Sequence, residues 1–295
     1  MEKSEFLTKK PMLLKEVLKP FNQNDYLYEL KYDGIRALIF LDKNEIIIKS
    51  RNNIVLNKKF PELLNIKKIS NKKIIFDGEI ISYHEGKISF SHLQKRISLK
   101  NSLKIEELSI HEPVTFICFD ILYENKDLTK LPLLKRKKIL DNYVDTNYFI
   151  KSKYYFFDGI SLFNTIKKYN LEGIVAKNIH STYLYNTRTD AWLKIKNYYH
   201  DTFGIYGYLE NKNNMISLIL GEKINNVDYY VGKVLLNKKH ELYHKIINTK
   251  VIQKNILKNY TNEKKVILIN PVHKLEVYYL ERTENNFLRH PFIKN

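Results

Sequence analysis

Glu29-Leu30-Lys31-Tyr32-Asp33-Gly34-Ile35-Arg36 is the stretch on which the reading of this chain turns. A strand-like run, residues 26–30, leads into it, and Asp33-Gly34 has the composition of a turn. That order sets Lys31 at the rim of a sheet, between the carboxylates of Glu29 and Asp33 and near the guanidinium of Arg36. A lysine becomes a nucleophile when its pKa is lowered, which nearby cations or desolvation supply. Taken alone the residue says little, because 50 of the 295 residues are Lys or Arg and most such side chains are solvated.

Composition bounds what surrounds that stretch. A length of 295 residues suits two domains, and a hydrophobic content of 44% is enough to build cores. The apolar runs are short and residues 1–10 lack a secretory apolar core, so neither a membrane span nor a leader is expected and the chain reads as cytoplasmic. Cys118 is the one cysteine, so no internal disulfide forms; its apolar surroundings, residues 116–119, suggest a small buried side chain. The net charge of +18 favours a polyanionic partner such as nucleic acid, although the abundance of Lys, Asn, Ile and Tyr also fits an AT-rich coding sequence.

Residues 37–41, 45–49, 73–82, 115–122 and 173–177 read as further strands, and residues 134–145 and 161–169 as helices, with Ser161 as N-cap and Asn170 as terminator of the second. Strands and helices mix without strict alternation, which predicts an α+β domain with largely antiparallel sheets. Beyond residues 192–196 the texture changes. Residues 202–209, 216–220, 229–235, 265–269 and 274–280 read as five strands, with one helix at 239–248. Five strands and a helix are the element count of an OB-fold barrel. The domains are therefore expected at 1–198 and 199–295.

Five more short motifs follow the first in order: Ser50-Arg51-Asn52, Phe76-Asp77-Gly78-Glu79, Phe119-Asp120-Ile121-Leu122-Tyr123, Glu172-Gly173-Ile174-Val175-Ala176-Lys177 and Trp192-Leu193-Lys194-Ile195-Lys196. Together with Lys-x-Asp-Gly-x-Arg at residues 31–36, this series resembles the covalent nucleotidyltransferases, the superfamily of DNA ligases, RNA ligases and mRNA capping enzymes. The forms taken by the third, fourth and fifth of these added motifs are typical of ATP-dependent DNA ligases, and the chain is most similar to small bacterial and phage ligases and to the ligase domain of bacterial end-joining enzymes. The likeness runs from Pro11-Met12-Leu13 to the tail around Leu288-Arg289-His290-Pro291.

The resemblance implies a nucleotidyltransferase domain followed by an OB-fold barrel, acting as a monomer on nicked duplex DNA with ATP and Mg2+ or Mn2+. It makes Lys31 the nucleophile that attacks the α-phosphate of ATP. It implies that Glu29 accepts from the adenine amino group, that Phe119 stacks on the base, and that Arg36 and Glu79 lie near the ribose. Glu79 and Glu172 are implied as the metal carboxylates. Arg188, Lys194, Lys196 and Lys177 would neutralise phosphates, and Arg51 would contact the 5′-phosphate of the nick. Two places depart from the family pattern: Asn186 stands where related ligases often have glycine, and no Arg-x-Asp-Lys follows Phe292-Ile293-Lys294-Asn295. The second departure implies slow self-adenylylation or replacement by another basic residue such as Arg289. The sequence shows no separate DNA-binding domain ahead of the first, which suggests that a partner protein delivers the nick. The competing readings are an RNA ligase or capping guanylyltransferase, and a non-catalytic DNA-binding protein on a ligase fold.

Overall fold

Period-two alternation of apolar residues builds two sheets in the first part of the chain. In the computed structural model, which describes residues 1–261 and 265–294, helix α1 (Lys3–Thr8) leads to strands β1 (Leu13–Glu16), β2 (Tyr26–Leu30), β3 (Ile35–Leu41) and β4 (Ile46–Ser50). A 3-10 helix (Pro61–Ile69), β5 (Ile74–Ile81), the hairpin β6 (Tyr83–His84) and β7 (Lys87–Ile88), and helices α2 (Phe90–Ser98) and α3 (Ser102–His111) follow. Then come β8 (Thr115–Glu124), β9 (Lys126–Asp127), α4 (Leu133–Leu140), β10 (Phe149–Lys151), β11 (Tyr154–Phe156), α5 (Gly159–Lys168), β12 (Gly173–Asn178) and β13 (Arg188–Lys196). One sheet has the order β1-β13-β12-β2-β11; the other has β10-β8-β5-β3-β4, with β9 beside β8. The pairings are antiparallel except β1 with β13 and β10 with β8.

Alternate residues of each strand belong to different layers. In β3, Ala37, Ile39 and Leu41 pack with Phe60 and Leu63 of the 3-10 helix region and with Leu93 of α2, on the outer side of the second sheet. Leu38 and Phe40 point the other way and meet Leu27 of β2 and Trp192 of β13 between the sheets. Tyr28, Ile174, Ala176 and Ile195 cover the outer side of the first sheet under Phe163 and Ile166 of α5. The layers thus run helix, sheet, sheet, helix, and the inner faces of both sheets look into one space.

The helices differ from their sequence reading at their ends. The helix expected at 134–145 stops at Leu140, and the next begins at Gly159, not Ser161. Its N-cap is Asp158, whose carboxylate accepts from the Ser161 amide at 3.2 Å. Asn170, at φ +52°, takes the left-handed conformation that ends it. On α4, Leu133, Arg136, Lys137 and Leu140 share one buried face at helical spacing. The two cations there are buried because carboxylates lie opposite. Arg136 grips Asp120 with Nε–Oδ1 at 2.8 Å and Nη2–Oδ2 at 2.9 Å, both side chains fully buried. Asp120→Ala would leave a buried guanidinium without its counter-ion, and is expected to cost about 3–5 kcal/mol. In a thermal melt that appears as a drop of roughly 6–20 °C; a melt within two or so degrees of wild type would show the pair to be dispensable.

The second unit, Asn197–Asn295, is built on three long antiparallel strands, β14 (Tyr199–Glu210), β15 (Met215–Ile224) and β16 (Val227–Asn237). Helix α6 (Leu242–Ile247), β17 (Ile267–Leu268), β18 (Lys274–Tyr279), β19 (Glu281–Arg282) and β20 (Leu288–Arg289) follow. The sheet order is β16-β15-β14-β17, with β18 pairing the first part of β14. Among the described residues these pairings do not close, so the expected barrel is not confirmed. The run expected at 265–269 contributes only the two-residue β17, and the outer edge of β16 is met by the single bridge Tyr229–Lys258. Phe203, Leu218, Val234 and Val277 lie in its core. Among the described residues no helix is long and apolar enough to cross a membrane.

Candidate active site

The alternation that buries Leu27 and Leu38 between the sheets also assigns Glu29 and Lys31, Arg36, Asp77 and Glu79, Lys177, and Trp192, Lys194 and Lys196 to the inner face. Register fixes their neighbours: Glu29 lies opposite Val175, which lies opposite Lys194, and Arg36 lies opposite Glu79. Just past β2, the Lys31 amide donates to the Gly173 carbonyl at 2.9 Å, which extends the ladder by one residue and sets Lys31 beside Glu172. Two glycines permit this closeness. A Cβ on Gly34 would stand 2.2 Å from the Ile80 carbonyl oxygen and 2.9 Å from Cγ of Glu79. Gly173, at φ +153°, has the Ile195 carbonyl 2.2 Å from where a Cβ would be.

Lys31 Nζ sits 2.8 Å from Oε1 and 2.9 Å from Oε2 of Glu172. Burial pushes the ammonium down, but Glu172, Glu79 and Asp33 outweigh it, so the net direction is above the ordinary lysine value. The expectation of a lowered pKa is therefore reversed: the carboxylates around Lys31 favour its charged form. Burial raises both carboxylic acids, Glu172 against the opposing charge of Lys31, and Glu79 up to about 8 despite Lys31 and Arg36.

Arg36 is held by Asp77, with Nε–Oδ1 at 2.9 Å and Nη2–Oδ2 at 2.6 Å, and Asp77 also accepts from the Tyr183 hydroxyl at 2.7 Å. Glu29, 2% exposed, accepts from Lys177 at 2.8 Å and faces Lys137 of α4 as an ion pair not aligned as a hydrogen bond. The Lys177 ammonium is 4.1 Å from the ring centre of Phe119 and 4.2 Å from that of Trp192. Burial lowers it to about 8, against the pull of Glu29. Lys194 pairs with Glu16 of β1 at 2.9 Å, and Lys196 lies 3.9 Å from the same carboxylate.

Glu29, Lys31, Arg36, Glu79, Phe119, Lys177 and Trp192 line one cleft, together with Tyr32. Glu172 reaches it through Lys31. Lys194, Lys196, Arg188 and Arg51 do not line it. Arg188 is exposed at the start of β13 and donates to the Leu14 carbonyl, while Arg51 is exposed just after β4, tied to the site through its amide on the Arg36 carbonyl at 3.1 Å. Asn186 stands at φ +56°, the left-handed conformation that glycine adopts without strain. Sequence reading did not single out Lys137, Asp77, Tyr183 or Glu16 for the site. A broader depression behind the second sheet, lined by Asn65, Lys68, Tyr143 and Tyr148, contains none of the motif residues.

A helix-covered pair of sheets with this cleft is a nucleotidyltransferase-type ligase fold. Its closeness to solved structures is seen in a mycobacterial DNA ligase D complexed with ATP and MES, with a TM-score of 0.60 at 21% identity over 98% of this chain and 94% of that one. The ATP dependent DNA ligase domain profile matches residues 6–196. The chain belongs to the ATP-dependent DNA ligases, a family whose members form phosphodiester bonds. The SPbeta prophage-derived DNA ligase-like protein LigB of Bacillus subtilis is 33% identical over 202 residues, 67% of this chain and 71% of that protein. The bifunctional non-homologous end joining protein LigD of the same organism is 33% identical over 208 residues, 63% of this chain but only 34% of that protein. The chain thus corresponds to about a third of LigD.

Proposed function

We propose that the chain seals nicks in duplex DNA through a covalent lysyl-AMP intermediate formed on Lys31. The observation that carries this reading is the placement of Lys31 on Glu172 at the rim of a cleft that also holds Glu29, Phe119 and Glu79. Lys31 Nζ attacks the α-phosphorus of ATP, a phosphoramide bond forms and pyrophosphate leaves. AMP then passes to the 5′-phosphate of the nick, and the 3′-hydroxyl attacks that phosphorus and expels AMP. Lys194 and Lys196, on one face of β13, supply positive charge to the phosphates, in keeping with a transfer that depends on positioning and charge stabilisation. Arg51 and Arg188 are exposed, and we read both as contacts for phosphates, Arg188 from its hold on the Leu14 carbonyl.

The donor set fits a hard divalent cation. Among the described residues no cluster of three or more His, Cys, Asp or Glu side chains is arranged for a metal, but Mg2+ keeps several waters and needs only one or two carboxylates. Glu79 and Glu172 would hold Mg2+ or Mn2+, whose charge would offset that of the phosphates and, by competing for Glu172, favour loss of the Lys31 proton.

Glu29 sets the choice of nucleotide in this reading. It accepts from the 6-amino group of adenine, whereas the 6-carbonyl of guanine would face it as a second acceptor. Such an unpaired buried acceptor costs roughly 1–3 kcal/mol. ATP is therefore expected to label the protein roughly 5- to 150-fold more efficiently than GTP, measured as kcat/KM for lysyl-nucleotide formation. Equal labelling would favour the capping reading.

The second unit, read as an OB-type module despite its open sheet, is proposed to bind duplex around the nick, with the chain acting as a monomer and a partner protein delivering the substrate. Incubation with α-labelled ATP and Mg2+, then a denaturing gel, then addition of nicked duplex tests the whole reading. A labelled band that the nick discharges, with sealed strand appearing, supports it; a protein that never takes the label does not.

A further inference from the structure

We propose that Lys137 is a positioning residue for nucleotide selection: with Lys177 it fixes Glu29 as an ionised buried carboxylate, and it remains as the counter-ion when the adenine amino group displaces Lys177. This rests on the adenine-binding reading of the cleft.

Three charged side chains meet here with almost no solvent: Glu29 at 2%, Lys137 at 1% and Lys177 at 2% exposure. They come from β2, α4 and β12, so only the fold unites them. Lys177 takes one carboxylate oxygen at 2.8 Å while its ammonium lies 4.1 Å from the centre of the Phe119 ring. It thus makes the two contacts that the base would make, a donor to Glu29 and a partner for the Phe119 ring. It lines the cleft itself, so a base taking up those contacts must move it. Lys137 differs. It faces the other oxygen, does not line the nucleotide cleft, and lies under the Tyr154 ring at 5.1 Å. A base entering the cleft would therefore displace Lys177 and leave Lys137 in place.

The chemistry makes Lys137 matter for specificity. A buried carboxylate stripped of its cations takes up a proton. Protonated, Glu29 would carry a donor as well as acceptors, and that donor suits the guanine carbonyl and not the adenine amino group. Loss of Lys137 therefore erodes the discrimination itself, beyond any loss of stability.

The test uses the full-length chain and measures kcat/KM for lysyl-nucleotide formation with ATP and with GTP. For Lys137→Met the ATP:GTP ratio should fall about tenfold or more, chiefly through a raised KM for ATP, while Lys137→Arg keeps the ratio within about threefold. A folded Lys137→Met with the wild-type ratio and only a lowered Tm overturns the proposal, because that is the signature of a purely structural ion pair. Should the single variant not fold, Glu29→Gln/Lys137→Met removes both charges together. Its ratio should equal that of Glu29→Gln alone, and a further fall would overturn the proposal. Wild-type protein that takes no label, or labels equally with both nucleotides, would instead undo the adenine-binding reading.

Discussion

Lys31→Ala is expected to lower lysyl-AMP formation to background while leaving the variant able to seal a nick that already carries AMP on its 5′-phosphate. The first step needs the amine as attacking group. The last needs the 3′-hydroxyl as attacking group and the protein only as a binding and charge-stabilising frame. Lys31 is only partly exposed, and its ammonium rests on Glu172, so removing it leaves one partly solvated carboxylate and not a cavity in the core. The fold should survive, and the sealing of pre-adenylylated nick serves as the internal control. ATP labelling of the variant at the wild-type rate would move the nucleophile elsewhere.

Affinity for nicked duplex is expected to fall about a thousandfold between about 50 and about 200 mM salt. Each phosphate neutralised by Lys or Arg releases condensed counterions, and a protein making roughly six such contacts loses affinity by that order over this range. The chain carries 50 basic residues against 32 acidic ones, and exposed Arg51 and Arg188 flank the cleft region without lining it. The slope of log affinity against log salt, measured on an unadenylylated nick with Lys31→Ala, which cannot form lysyl-AMP, gives the number of neutralised phosphates. Binding that hardly changes with salt would mean that the basic surplus reflects codon usage and takes no part in holding DNA.

The motif residues were legible because six short motifs, in order, resemble those of the covalent nucleotidyltransferases; strand periodicity added only which of them share a face. Once residues 26–30, 73–82 and 173–177 read as strands, Glu29, Glu79 and Lys177 each share a face with alternate residues of their own strand, whereas Arg36 falls just ahead of the run read at 37–41 and joins its strand only in the structure. What the sequence did not yield were the partners. Asp77 holds Arg36, Glu16 holds Lys194, and Lys137 faces Glu29, each across a sequence separation that only the tertiary fold closes. Lys137 is the clearest case. Leu-Lys-Arg-Lys-Lys on α4 resembles a solvated basic face, yet Leu133, Arg136, Lys137 and Leu140 fall at i, i+3, i+4 and i+7 and are buried. That spacing was available; the carboxylates that make burial tolerable were not. Lys31 shows the same limit in its electrostatics. Burial alone suggests a lowered pKa, and only the positions of Glu172 and Glu79 reverse the direction. In the second unit strand propensity located the runs but could not say whether their edges meet, and among the described residues they do not close.

The central claim is that Lys31 becomes covalently adenylylated. Incubating the wild-type chain with ATP and Mg2+, digesting it and mapping the modified peptide by mass spectrometry tests that claim most directly. A single AMP adduct on Lys31, lost when nicked duplex is added, is the predicted result; an adduct on another residue, or none under conditions where ATP binds, would contradict it.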